Sequence, residues 1–232
     1  MVPPPDVEHL KHAAAAAAIA EVRDGMIVGL GTGSTAAHVL RLLGARVAQG
    51  LRITGVPTSR ATWIAAQDLR IPLLAPDALT SIDVCIDGVD EIDSGFRAIK
   101  GGGGAMLLEK VVATLARRNI AVADASKRVA RLGTRPVPIE VLAAAQGLVT
   151  AEIARLGGAA SLRIAGDTPF ITDSGHRILD ADFGEIRDAA ALARTLSSIP
   201  GALGHGLFLT EIDALYLAEP DGVIREERPI DE

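Results

Sequence analysis

Short apolar runs alternate with helix-like stretches along the first half of the chain. Met26 to Leu30, Leu51 to Val56, Ile71 to Ala75, Ile82 to Asp87 and Ile120 to Ala123 are brief apolar segments bounded by turn residues. That is the pattern of buried strands. Between them, residues 8–23, 35–43, 59–68 and 105–118 read as helices. The first carries six consecutive alanines, Ala13 to Ala18, between Leu10 and Ile19. Alanine is the best helix former, and Gly25 supplies a natural stop. Strands alternating with helices predict a parallel sheet with right-handed crossovers.

The rhythm changes after Leu132, where Pro136 and Pro138 mark a boundary. Glu140 to Leu156 reads as a helix ended by Gly157-Gly158. Two strand-like runs, Ser161 to Ala165 and Arg177 to Ala181, flank the turn residues Asp173-Ser174-Gly175. Glu185 to Ser198 reads as a second helix, closed by Pro200-Gly201, and Gly206 to Ala218 is strand-rich. The order is that of a β-α-β-β-α-β unit. The expected fold class is α/β: a Rossmann-like parallel sheet domain over residues 1–131 and 207–232, with a second, smaller α+β (ferredoxin-like) domain over 132–206.

Composition narrows the function classes. Of 232 residues, 49% are hydrophobic and 22% charged, ordinary values for a globular protein. A net charge of −6 lacks the broad basic surface of a nucleic-acid binder, so any phosphate must be held at a small local site. Aromatic residues are only 3%, which disfavours stacking platforms for bases. One cysteine excludes a disulfide framework. No apolar run approaches the ~20 residues of a membrane span. Met1 to Asp6 is proline-rich, without the basic-then-apolar pattern of a signal peptide. No membrane partner and a cytoplasmic location are the expectations.

Four motifs carry chemistry. Gly29-Leu30-Gly31-Thr32-Gly33-Ser34-Thr35 lies between a strand and a helix. Small residues allow close backbone approach, and a helix N-terminus offers amide donors to an anion. A tight turn capped by Ser34 or Thr35 explains the same residues. A dinucleotide fingerprint fits less well, because Ser34 replaces the third glycine and no acidic residue ends the next strand. Asp87-Gly88-Val89-Asp90-Glu91-Ile92-Asp93 follows an apolar strand, at the end of a parallel strand where ligands bind. A solvated acidic loop is the plain alternative; carboxylates also suit magnesium, but the preceding apolar strand implies partial burial of Asp87, where a hydrogen-bonding role is equally natural. Lys100-Gly101-Gly102-Gly103-Gly104 concentrates four glycines at an entropic cost that a mere connection rarely needs. Glu109 follows on a helix among Met106, Leu107, Leu108, Val111 and Val112, where burial raises a carboxyl pKa and makes it a better base. Asp124-Ala125-Ser126-Lys127 ends a strand and sets a lysine within reach of a phosphate.

Taken together, the stretches GLGTGSTAAHVL (29–40), VPTSRAT (56–62), DGVDEID (87–93), KGGGGAMLLEKVVA (100–113) and ADASKRVARLG (123–133) resemble the A-type ribose-5-phosphate isomerases. Weaker matches continue at Thr172 to Gly175, Ile199 to Gly201 and Pro220 to Gly222, so the resemblance covers almost the whole chain in order. It implies interconversion of ribose 5-phosphate and ribulose 5-phosphate with no cofactor and no metal. It places the general base on Glu109 and the substrate loop on Thr32, Gly33, Ser34 and Thr35. The acidic substrate stretch falls on Asp87, Gly88, Val89 and Asp90, and the lysine–glycine loop on Lys100, Gly101, Gly102 and Gly103. Lys127 is the last lysine. Catalytic work would fall to Glu109, Asp87, Asp90 and Lys100, with a phosphate on Thr32, Ser34, Thr35 and Lys127, joined by Lys11. A homodimer or homotetramer is implied. Two departures stand out: Leu108 where relatives often carry arginine, and Gly104 where some carry alanine.

Rival readings are a sugar-phosphate deaminase or lactonase of similar fold and a non-catalytic sugar-phosphate effector domain. The first usually needs a different acid–base set, often with histidine. The second is expected to lose Glu109 or Lys100. The five histidines show no metal-ligand spacing, and Cys85 reads as a buried, inert thiol.

Overall fold

The computed structural model describes residues 7–229, so the proline-rich stretch Met1 to Asp6 lies outside the described residues. The chain divides into two compact units. One holds the chain up to Val89, with Leu108–Arg128 and the segment from Thr210 on; the other holds Asp90–Leu107 and Val129–Leu209.

The first unit is built on a six-stranded sheet. Its spatial order is Gly222–Glu227, Ala214–Glu219, Asn119–Asp124, Val84–Gly88, Ile27–Leu30, Thr54–Pro57. Neighbours pair in parallel except the Gly222–Glu227 edge, which is antiparallel. From Ile27–Leu30 the chain steps to Thr54–Pro57 on one side, then returns to Val84–Gly88 on the other. The strand order therefore reverses beside Ile27–Leu30. In open α/β sheets, ligands bind at the carboxyl ends of the strands at such a switch point.

Aliphatic strand residues supply the core. Val28, Leu30, Val84, Ile86, Ile120 and Val122 cluster with Leu10, Ala14, Ala15 and Ala18 of helix Val7–Ala18 and with Val39, Leu40 and Leu43 of helix Ser34–Ala48. The buried alanines form a small-residue face that the sheet can approach closely. Val56, Ile82 and Cys85 pack instead against Val112 of helix Met106–Leu115, which leaves Cys85 buried.

Two expectations for this unit are corrected, and one strand is added. The first helix is shorter than 8–23: it ends at Ala18 and tightens into the 3₁₀ turn Ile19–Glu21. Ile71 to Ala75 makes a single bridge, Leu73 to Gly55, rather than a strand. It lies beyond the edge strand, and Pro72 has no N–H to extend the ladder. The Gly222–Glu227 hairpin strand was not anticipated, being polar and largely exposed.

The second unit centres on a four-stranded antiparallel sheet ordered Ala202–His205, Val137–Val141, Arg177–Asp182, Ala159–Leu162. With helices Gln146–Arg155 and Ala189–Ser198 the chain order is β-α-β-β-α-β. Ile139, Val141, Val149, Ile153, Leu179 and Leu196 fill its core. The helix expected from Glu140 begins only at Gln146, because Val137–Val141 is a fully buried strand. Its β-branched residues favour that state. Glu140 is 1% exposed and accepts the Thr172 hydroxyl at 2.8 Å, with His176 Nδ1 at 2.9 Å. A further small sheet pairs Glu91–Ile92, Ala98–Ile99 and Leu207–Phe208. These pairings group Asp90–Leu107 with the second unit, whereas boundaries at 132 and 207 leave it in the first. Two-residue strands carry no readable periodicity.

Glu21 ties the 3₁₀ turn to the sheet. It accepts Arg118 Nε at 2.6 Å and the Tyr216 hydroxyl at 2.6 Å. Desolvation pushes its carboxyl up, but the bonds from Arg118 and Tyr216 outweigh it and hold the pKa below the ordinary 4.5. A depressed folded pKa means stability present above the unfolded value and lost as pH falls through the folded one. Glu21→Gln is expected to lower the urea midpoint at pH 7 and to approach wild type near pH 3, checked by denaturation at both pH values.

Candidate active site

The switch point is closed by a carboxylate. Asp87 ends the strand Val84–Gly88, and its Oδ1 accepts the amide of Gly88 at 2.7 Å and that of Thr32 at 3.1 Å. Gly31 N donates to Ile86 O at 3.1 Å, extending the sheet past Leu30. A Cβ on Gly31 would stand 2.0 Å from Asp87 Oδ1 and 2.7 Å from its Cα, so this position admits only glycine. Asp87 is 8% exposed, in line with the partial burial that its apolar strand implies.

The loop then enters helix Ser34–Ala48 through Gly33, whose φ of +102° suits glycine. Gly33 brings no side-chain cap, so neither Ser34 nor Thr35 caps this helix. The first amides of a helix lack intrahelical partners and carry its positive dipole end. Ser34 is exposed and Thr35 buried. Lys11, from helix Val7–Ala18, donates to Ser34 Oγ at 3.0 Å and to Glu8 at 2.7 Å. The Lys11 and His38 bonds lower the Glu8 pKa to about 2.

Thr32 points elsewhere. Its Oγ1 lies 2.8 Å from Thr58 Oγ1, 2.8 Å from Ser59 Oγ and 3.2 Å from Thr62 Oγ1. Ser59 caps helix Arg60–Asp68 by accepting Thr62 N at 3.1 Å. Thr58 donates to Leu30 O at 3.0 Å and Thr62 to Gly31 O at 2.9 Å. Thr58 and Ser59 stand where the sequence predicts a helix to begin. What marks the group in the sequence is the hydroxyl run within VPTSRAT.

Glu109 is 4% exposed on helix Met106–Leu115. It stands one turn before Val112, on the same helix face. Val112 Cγ1 would be 2.8 Å from a Cβ on Gly29, so that face packs on the central strand. Its neighbour Lys110 is pushed below the usual lysine range by burial, with Glu211 at 3.7 Å pulling the other way. Lys127 is half-buried in the 3₁₀ turn Ala125–Lys127, which Asp124 caps by accepting Ser126 N at 3.0 Å and the Ser126 hydroxyl. Gly88 is half-exposed and Val89 buried.

The remaining residues lie in the second unit. Asp90 accepts Gly102 N at 2.8 Å. Lys100 is 6% exposed, its backbone N donates to Gly206 O at 2.8 Å, and its Nζ lies 5.5 Å from the Phe208 ring centre. Gly102 and Gly103 are exposed, while Gly101 and Gly104 are buried. A Cβ on Gly101 would press Met106 and one on Gly104 would press Phe170, so packing accounts for those two glycines. Arg163 is a residue the sequence did not single out. It donates to Gly101 O at 2.9 Å and Gly102 O at 3.1 Å while paired with Asp180. Within the acidic run, Glu91 accepts Gly133 N and Asp93 accepts Gly95 N and Arg97, so these two hold turns. Among the described residues, no group of three or more histidine, cysteine or acidic side chains is arranged to hold a metal ion.

The first unit thus belongs to the open α/β proteins that gather amide donors and a buried carboxylate at the switch point of a parallel sheet. The model of the ribose 5-phosphate isomerase A (phosphoriboisomerase A) family matches residues 54–222. The chain is 50% identical over 213 residues to ribose-5-phosphate isomerase A of Sphingopyxis alaskensis, covering 92% of this chain and 93% of that one. It superposes on ribose 5-phosphate isomerase A from Methanocaldococcus jannaschii with a TM-score of 0.91 and 36% identity, covering 95% and 99% of the two chains. A D-ribose-5-phosphate isomerase in complex with phospho-erythronic acid gives a TM-score of 0.93 and 37% identity, covering 97% and 100%. The chain belongs to the ribose 5-phosphate isomerase A family.

Gly31→Ala drives a methyl into the Asp87 carboxylate. It is expected to cost about 1–3 kcal/mol of stability, as overpacking does. It should also displace the helix N-terminus, abolishing binding of sugar phosphates in the protein that remains folded. Thermal unfolding and calorimetric titration with ribose 5-phosphate check both parts.

Proposed function

We propose that this protein interconverts D-ribose 5-phosphate and D-ribulose 5-phosphate by carboxylate acid–base catalysis through an enediolate. The observation that carries the reading is Glu109: a carboxylate 4% exposed, on the packed face of its helix, in a chain of this family. The proton on carbon 2 of the open-chain aldose is acidified by the adjacent aldehyde. Glu109 takes that proton, leaving an enediolate, and returns it to carbon 1. The hydroxyl proton leaves the carbon 2 oxygen and a proton joins the carbon 1 oxygen, so the formula is unchanged. Asp87, held by two backbone amides, is the group assigned to shuttle the hydroxyl protons.

The phosphate is assigned to the amide end of helix Ser34–Ala48, with the Ser34 and Thr35 hydroxyls, Lys11 and Lys127. An anion there meets oriented donors and a favourable dipole. Binding energy from this remote group can position the reacting carbons. Asp90, Lys100 and Gly101 to Gly103 belong to the second unit and enter the reading through the family's motif alone. In that role Lys100 and the glycine amides would stabilise the enediolate oxygens. Family membership favours this reaction over a deaminase, a lactonase or a silent effector domain. Assembly as a homodimer or homotetramer follows from the same resemblance. No helix among the described residues is long and apolar enough to cross a membrane.

The test is ketose formation from ribose 5-phosphate with chelator present. Wild type should turn over, and Glu109→Gln should lower kcat about 10²–10⁴-fold while KM changes little. A folded wild type without turnover refutes the isomerase reading. Full activity in Glu109→Gln moves the base to another group, with Asp87 next in line.

A further inference from the structure

We infer that Thr58, Ser59 and Thr62 are positioning residues that set the anion-binding end of helix Ser34–Ala48 through Thr32. The inference rests on the phosphate assignment proposed above. Thr58, Ser59 and Thr62 are 1%, 8% and 7% exposed, so their hydroxyls must find partners inside the protein. Each hydroxyl has one proton to give. The carbonyls of Leu30 and Gly31 can only accept, and they draw on Thr58 at 3.0 Å and Thr62 at 2.9 Å. Ser59 donates to Thr62 Oγ1 at 3.0 Å, and Thr32 donates to Ser59 Oγ at 2.8 Å. Thr58 Oγ1 lies 2.8 Å from Thr32 Oγ1, and because Thr58 gives its own proton to Leu30 O, the Thr32 proton is the one directed between Ser59 Oγ and Thr58 Oγ1.

Two consequences follow. The Thr32 proton points into this cluster, so Thr32 serves a phosphate by where it holds the backbone rather than by donating its hydroxyl. Leu30 O is gripped by Thr58, just before the helix that begins at Arg60, and Gly31 O by Thr62 on that helix, while Asp87 grips Thr32 N from the opposite side. The loop is thereby clamped between two neighbouring strand ends. Its amides are aimed before any ligand arrives, which reduces the ordering cost of binding. Loss of one clamp should weaken the hold on the phosphate and leave the proton-transfer step alone.

The experiment compares Thr62→Val, nearly isosteric but without a hydroxyl, with Thr62→Ser, which keeps the hydroxyl. Thr58→Val is a second probe should Thr62→Val fail to fold. Read-outs are kcat, KM for ribose 5-phosphate and Ki for inorganic phosphate as competitive inhibitor. Each valine variant should raise KM and Ki together by about tenfold, the worth of one buried hydrogen bond. Their kcat should stay within about twofold of wild type, and Thr62→Ser should restore both constants. Unchanged KM and Ki in folded valine variants overturn the inference. So does a fall in kcat at constant KM, or equal damage in Thr62→Ser, which would assign the effect to side-chain packing at this position and not to the hydroxyl. A folded wild type that does not turn over ribose 5-phosphate overturns the underlying reading instead, so the two failures are told apart.

Discussion

The bond between Asp87 and the amide of Thr32 joins two strand ends that diverge in the sequence order of the sheet. The strand Ile27–Leu30 is followed on one side by its sequence successor and flanked on the other by Val84–Gly88. Without a cross-link the loops leaving these strands would separate there. Asp87 Oδ1 accepts from both Thr32 and its own neighbour Gly88, so one carboxylate oxygen holds both loops. A carboxylate accepting backbone amides makes charge-assisted bonds, stronger than neutral ones. The arrangement demands that Gly31 pass without a side chain, and that demand explains the glycine better than flexibility does. Everything proposed for the site depends on this junction: the aim of helix Ser34–Ala48, the inward turn of Thr32, and the burial of Asp87 itself.

Polar residues that look alike in the sequence divide sharply in the fold. Of the four acidic groups between Asp87 and Asp93, Glu91 and Asp93 are 2% and 1% exposed and are spent on backbone amides of turns. The four consecutive glycines divide in the same way. Gly101 and Gly104 are required by crowding against Met106 and Phe170, which leaves Gly102 and Gly103 as the exposed pair. Arg163, fixed by Asp180, takes the carbonyls of Gly101 and Gly102, so this loop has a designated anchor far away in sequence. A motif therefore marks a neighbourhood, while burial and partners sort its members into those that build and those left to act.

The parallel sheet was legible because its strands are short apolar runs and the stretches between them read as helices, the first through its six alanines, a contrast that needs no neighbours to read. The β-α-β-β-α-β order of the second unit was legible for the same reason, although Glu140 was misassigned to a helix. A buried glutamate in a strand is intelligible only with Thr172 and His176, both more than thirty residues away. The two-residue strands Glu91–Ile92, Ala98–Ile99 and Leu207–Phe208 were illegible because pairing across the chain, not local preference, creates them.

By itself the sequence determined the main helices and apolar strands, their alternation and the motif order that marks the family, since these follow from local propensity and from residues named in place. It placed Glu109 on a helix among apolar neighbours and Gly31 beside a helix start. Tertiary structure decided where the strand order reverses, that Asp87 and Thr32 meet there, and that Thr58, Ser59 and Thr62 share one hydroxyl cluster with Thr32. Those outcomes turn on hydrogen bonds between groups 26 to 55 positions apart along the chain. A directional bond of ~3 Å leaves no trace in local composition. It exists only once the core has brought its two ends together.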